Sequence, residues 1–209
     1  MTLFLDRDGT INRKRPENDY VKSCEEFEFL PNALAGLRRM AASGARMICV
    51  TNQRGVARGR MTEEALRDIH RWMLDAVREA GGRIDAVYYC PHEAGECDCR
   101  KPLTGLFQRA RMDFPDIDFA DSLVVGDAMS DMAAASRLGC GSALVATPET
   151  AAAIRETAAG QGIHVDVCVA SLLELAELLP TWKLRTSRPG ADRNPIFTPE
   201  PAPRFGKSQ

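Results

Sequence analysis

The stretch Thr2-Leu3-Phe4-Leu5-Asp6-Arg7-Asp8-Gly9-Thr10 decides the fold. Three large apolar residues in a row break off into two carboxylates two positions apart. A short run without alternation reads as a strand covered on both faces, as in a parallel sheet, with the acids at its carboxyl end. Residues two apart on an extended segment point the same way, so Asp6 and Asp8 can converge. The pattern recurs: residues 45–50 form an apolar run ending in Thr51-Asn52-Gln53, and residues 122–125 one ending in Gly126-Asp127. Residues 84–90, 142–145 and 165–169 read as further strands. Helical spacing fills the gaps at 31–43, 62–80, 103–113, 130–138, 149–159 and 172–179. Pro31 and Gly44 bound the first helix, and Leu66, Ile69, Met73, Leu74 and Val77 form one face of the second. Strands alternating with helices predict an α/β fold, a parallel sheet with helices on both faces. Ligands bind such sheets beyond the carboxyl ends of the strands.

With 209 residues, 44% of them hydrophobic, the chain can bury a core without disulfides. Its apolar runs fall far short of the roughly 20 residues of a membrane span, and no charged segment precedes an apolar one at the start. A cytoplasmic protein is expected. Residues 181–209 hold six of the 27 Lys and Arg, two of the 29 acids and five of the 12 prolines. They carry +4 against −6 for residues 1–180, with no apolar period. The expectation is one domain over 1–180 and a disordered basic tail over 181–209.

Each strand end carries chemistry: Asp6 and Asp8; Thr51, Asn52 and Gln53; Arg100 and Lys101 after the third strand; Asp127, with Asp131 one helical turn on. Phosphoryl transfer fits this set. A carboxylate nucleophile, Asp6, can form an aspartyl phosphate, and a second acid, Asp8, can protonate the leaving alkoxide and then activate water. Asp127 is the metal ligand, because a carboxylate approaching a phosphate needs a divalent cation and Mg²⁺ prefers hard oxygen donors. Lys101 and Thr51 would hold the phosphoryl oxygens. A purely structural carboxylate cluster would leave buried charge uncompensated.

Three of the seven cysteines fall in Cys90-Pro91-His92-Glu93-Ala94-Gly95-Glu96-Cys97-Asp98-Cys99. Three thiolates and an imidazole, Cys90, His92, Cys97 and Cys99, match a closed tetrahedral Zn²⁺ site; the alternative is a redox pair of Cys97 and Cys99. A zinc there would pin the loop that delivers Arg100 and Lys101. Cys24, Cys49, Cys140 and Cys168 read as small buried or half-buried residues, and His70 and His164 as surface or packing residues.

Asp6-x-Asp8-Gly9-Thr10, Thr51, Lys101 and Gly126-Asp127-x3-Asp131 resemble the four motifs of the haloacid dehalogenase (HAD) superfamily of phosphatases, over residues 1 to about 180. The resemblance implies a Rossmann-like, capless domain with an open site, and Mg²⁺ held by Asp6, Asp127 and the backbone carbonyl of Asp8. Together with the zinc loop, the chain resembles the subgroup of heptose 1,7-bisphosphate 7-phosphatases and histidinol-phosphate phosphatases. Thr51–Gly59 and Cys97–Pro102 are similar to the heptose form, whereas the four-residue gap between His92 and Cys97 is nearer the histidinol form. By this resemblance Arg100 recognises substrate, Thr51 and Lys101 stabilise the phosphoryl group, and Asn52, Gln53 and Arg54 line the same pocket. Arg13, Lys14, Arg15, Arg54, Arg58 and Arg60 suggest a basic rim suited to a sugar bisphosphate, though they also fit a solvated surface. The expected partner is a small phosphorylated substrate, with no membrane and no nucleic acid; a monomer is compatible with the sequence. A non-catalytic, zinc-stabilised binding module is the alternative from another class.

Overall fold

The computed structural model describes residues 1–181; the expected tail, but for Thr181, lies outside the described residues. Six strands, β1 (Thr2–Leu5), β2 (Arg46–Asn52), β3 (Ala86–Cys90), β4 (Ser122–Gly126), β5 (Gly141–Val145) and β6 (Val167–Val169), form one parallel sheet in the order β3-β2-β1-β4-β5-β6. The helices are α1 (Ala33–Ala42), α2 (Glu63–Glu79), α3 (Gly105–Asp113), α4 (Met129–Leu138), α5 (Pro148–Gly160) and α6 (Leu172–Leu178). From β1 the chain steps outward through β2 to β3, then crosses to β4 on the other side of β1. The order therefore switches between β1 and β4, which places a ligand crevice beyond their ends.

Strand alternation assigns the two layers. Leu3 and Leu5 join Leu37, Met40, Met47, Ile69, Met73 and Leu175 in the core under α1, α2 and α6. Phe4 points the other way, into a second core with Ile48, Val50, Leu106, Phe107, Val124 and Ala134 under α3 and α4. Its ring meets Phe107 edge-on, 5.1 Å between centroids. No described helix is long and apolar enough to cross a membrane.

Four elements, α1, α3, β3 and β6, begin two residues later than their apolar patterns predict, and for three of them the cause is visible. Asn32 takes φ 63, a left-handed conformation that an α-helix cannot pass through, so α1 starts at Ala33. At β3, Asp85 Oδ2 accepts the Met47 amide at 2.8 Å, and at β6, Asp166 Oδ2 accepts the Ser142 amide at 2.9 Å. In each case a carboxylate replaces a backbone carbonyl and the ladder starts after it. The remaining cysteines sit as expected: Cys49 and Cys140 are buried, Cys24 and Cys168 half-buried, and burial pushes the Cys49 thiol up to about 12.

Candidate active site

β1 hands Asp6 to the crevice, where its amide continues the ladder by donating to Val125 O at 2.8 Å. The chain then turns tightly, with Arg7 O accepting from the amides of Ile11 (2.8 Å) and Asn12 (3.0 Å). Gly9 makes the turn possible. Its φ is +96°, and a β-carbon there would overlap the Asp127 carboxylate. Gly126 serves the same crowding from β4, since a side chain would overlap Asp131.

Lys101 is buried at the centre. Its Nζ donates to Asp6 Oδ1 (2.7 Å), Asp131 Oδ1 (2.6 Å) and Val50 O (2.7 Å). Asn52 fixes the backbone of this residue, its Oδ1 accepting from Lys101 N and its Nδ2 donating to Lys101 O, both at 3.0 Å. Asp131 Oδ2 accepts from Ala128 N, so the same carboxylate caps α4 and neutralises the lysine. Burial pushes the Asp6 carboxyl up to about 6, with Lys101 pulling it down and Asp131 pushing it further up. Burial likewise opposes the charge on Lys101, but Asp131 and Asp6 outweigh it and hold its pKa above the ordinary value.

Asp8 has the opposite environment. Burial disfavours its charge, yet Arg7, Asn12 and Gln53 hold its pKa below the ordinary carboxylate value. Arg7 Nη2 lies 2.9 Å from each of its oxygens; Asn12 Nδ2 donates at 2.9 Å and Gln53 Nε2 at 2.7 Å. Two carboxylates at one strand end are thus shifted in opposite directions because their partners differ. A cleft of about 190 Å³ joins Asp6, Asp8, Thr51, Lys101, Asp127 and Asp131. Beside it lies a second of about 290 Å³ that shares Asp8, Lys14, Asn52 and Arg100 and extends over Arg15, Tyr20 and Arg54.

In the loop after β3, Cys90 Sγ lies 3.5 Å from Cys97 Sγ and 3.7 Å from His92 Nδ1, and Cys99 Sγ lies 3.3 Å from both Cys97 Sγ and His92 Nδ1. A tetrahedron with bonds of about 2.3 Å to sulfur has edges of about 3.7 Å, so the donors fit Zn²⁺ in both chemistry and spacing. The hard oxygens of Asp6, Asp127 and Asp131 also gather within 4.8 Å of one another. Asp127 Oδ1 is buried without a hydrogen-bond partner, as a cation ligand would be, and carboxylate donors suit Mg²⁺.

The HAD-hydrolase-like family model matches residues 98–175. Over 151 residues the chain is 39% identical to the D-glycero-beta-D-manno-heptose-1,7-bisphosphate 7-phosphatase of Vibrio cholerae, covering 68% of this chain and 79% of that protein. Its identity to the Salmonella typhi protein of that name is 39% over 166 residues, covering 75% and 86%. The chain belongs to the HAD family of phosphatases. A crystal structure of the D,D-heptose 1,7-bisphosphate phosphatase from B. bronchiseptica, complexed with magnesium and phosphate, superposes with a TM-score of 0.75 at 35% identity over 87% of this chain and 99% of that one.

As a HAD phosphatase, the chain brings Asp6, Asp8, Thr51, Lys101 and Asp127 to one cleft, as the strand ends predict. Asn52 lines both clefts and Gln53 the second, and both amides are also engaged within the protein. Asn52 is spent on Lys101, and Gln53 on Asp8 and, at 2.9 Å, Thr51 Oγ1. Much of the basic rim is paired: Arg13 with Glu28, Arg15 with Asp19, and both Arg54 (3.2 Å) and Arg58 (2.8 Å) with Glu93 of the zinc loop. Lys14 Nζ reaches Asp127 Oδ2 at 2.9 Å. Asn12 and Arg7, to which the sequence assigned no role, complete the surroundings of Asp8, and His70, expected to be a surface or packing residue, is buried behind them against Arg7. Arg7 had a signal, a charge set between two acids where strand alternation turns it inward.

Proposed function

We propose that this phosphatase hydrolyses one phosphate of a sugar bisphosphate, with the 7-phosphate of D-glycero-D-manno-heptose 1,7-bisphosphate as its substrate. The observation that carries the choice of a bisphosphate is the second cleft. Arg100 lines both clefts, and its Nη1 is buried without a hydrogen-bond partner. An unpaired buried guanidinium nitrogen is costly until an anion meets it, and phosphate matches its geometry. The names of the relatives support the same substrate.

Asp8, ionised in the free protein, takes up a proton when the anionic substrate binds beside it. Asp6 then attacks phosphorus, the bond from phosphorus to the ester oxygen breaks, and Asp8 passes that proton to the leaving alkoxide. Asp8, now a carboxylate, takes a proton from the water that attacks the aspartyl phosphate; the bond from phosphorus to Asp6 breaks and phosphate leaves. The Lys101 ammonium, whose three N–H groups are held by Asp6, Asp131 and Val50 O, would stabilise the phosphoryl oxygens by its charge, and the Thr51 hydroxyl by donating to them. Asp6, Asp127 and the Asp8 backbone carbonyl would hold Mg²⁺, which when bound offsets the repulsion between phosphate and carboxylates. Cys90, His92, Cys97 and Cys99 would hold Zn²⁺ as a structural ion. All seven cysteines are free, which supports a reducing, cytoplasmic setting.

Binding energy from the remote phosphate can be used in the transition state. The heptose bisphosphate should therefore exceed histidinol phosphate in kcat/KM by at least about tenfold, about 1.4 kcal/mol. Arg100→Ala should shrink that preference more than it slows monophosphate hydrolysis. Phosphate release from both substrates by both enzymes measures it. Histidinol phosphate as the better substrate overturns the bisphosphate assignment.

A further inference from the structure

The inner side of Asp8 is built from groups to which the reaction assigns no step. Arg7 is fully buried. Its Nη2 donates to both Asp8 oxygens and, at 3.2 Å, to Gln53 Oε1, while Nη1 lies 3.1 Å from His70 Nε2. Among the described residues Asp8 is the one acid paired with Arg7, and Arg7 Nε has no hydrogen-bond partner. The guanidinium is therefore held in front by Asp8 and behind by two neutral acceptors. Of these, Gln53 is shared three ways, with Asp8, Thr51 and Arg7.

His70 is the dedicated anchor. It stands mid-way along α2, whose 17 residues pack on the sheet, and it is itself buried, with its ring 5.6 Å from that of Tyr89. A guanidinium offers donors only, so the contact requires His70 Nε2 to accept and the ring proton to sit on Nδ1.

We propose that His70 is a positioning residue for phosphoryl transfer: it anchors Arg7 at the point from which Arg7 orients the acid/base carboxylate of Asp8. The proposal rests on the Asp6/Asp8 reading above. The reasoning is geometric. The other tethers of Arg7, Asp8 and Gln53, are bonded to one another and can swing together with it, whereas a further tether on a rigid helix fixes the direction of all three. Burial and the neighbouring charge of Arg7 also hold the His70 pKa down to about 3, so the imidazole remains an acceptor at neutral pH. An apolar side chain at position 70 would fill the space but give Arg7 nothing to bond.

The test compares His70→Leu, His70→Gln and His70→Asn, each alone and in an Asp8→Asn background, by steady-state phosphate release and thermal melting. His70→Leu should lower kcat by at least about tenfold while KM stays within about threefold. His70→Gln, whose amide oxygen can reach Arg7, should recover most of the rate; His70→Asn, which is shorter, should not. Should the leucine variant fail to fold, the Gln and Asn pair decides the matter. In the Asp8→Asn background His70→Leu should cost less than about twofold more, because coupled groups are not additive. A wild-type kcat in folded His70→Leu, equal losses in Gln and Asn, or an undiminished loss in the Asp8→Asn background overturns the proposal. An Asp8→Asn enzyme as fast as wild type overturns the acid/base reading itself; a slow one beside a fast His70→Leu overturns the positioning role alone.

Discussion

Asp6→Asn is expected to lose at least about a thousandfold in turnover while remaining folded. An amide oxygen is too weak a nucleophile to attack phosphorus, so the first bond never forms. The fold survives because Lys101 keeps Asp131 at 2.6 Å and Val50 O at 2.7 Å as partners, leaving no buried charge stranded. Burial already disfavours the Asp6 charge, so a neutral amide relieves part of that desolvation penalty. Phosphate release gives the rate, and melting temperature shows the fold intact. Turnover within about tenfold of wild type removes Asp6 from the nucleophile's role.

Loss of the zinc ligands is expected to have the largest effect on stability. Cys90 ends β3 and Cys99 immediately precedes Arg100 and Lys101, so the loop that would close around the ion also sets the position of the central lysine. A hydrogen bond from Cys99, then those from His92 and Cys97, hold the Cys90 thiol down to about 5 while Cys99 is pushed up in turn, so a thiolate is available to a cation. Purified protein should carry about one zinc per chain. Cys97→Ser, or chelation, should remove on the order of 3 kcal/mol and lower the melting temperature by roughly 10 °C. Phosphate affinity should fall with it, because Lys101 and Arg100 lose their fixed approach. Calorimetry with and without chelator, and phosphate titration of the variant, measure both effects. Zinc-free protein with unchanged melting temperature and full activity contradicts the structural role.

The gathering of the strand-end residues was legible because a parallel sheet fixes where strand ends go. Once residues 2–5, 45–50 and 122–125 read as neighbouring strands, Asp6, Thr51 and Asp127 had to share one edge. The zinc donors were legible because all four lie within ten residues. Contacts across long separations were not. His70 and Arg7 are 63 residues apart, and a histidine on the apolar face of α2 looks the same whether it packs or accepts a hydrogen bond. Lys14 and Asp127 are 113 apart, with nothing in either neighbourhood to mark the pair. Charge runs were ambiguous: Arg54 and Arg58 read either as a rim for a bisphosphate or as solvated surface, and the contact both make with Glu93 of the zinc loop was not encoded locally. The late starts of β3 and β6 depend on Asp85 and Asp166 bonding to another strand, which local propensity does not encode.

The most direct measurement is an acid-quenched single turnover with heptose 1,7-bisphosphate labelled at the 7-phosphate, in the presence of Mg²⁺, followed by peptide mapping. The label should appear transiently on the peptide containing Asp6, be released by hydroxylamine as an acyl phosphate is, and be absent from Asp6→Asn. Sugar product formed at the full rate with no hydroxylamine-sensitive label at any time, together with an Asp6→Asn enzyme that still turns over, would contradict the account.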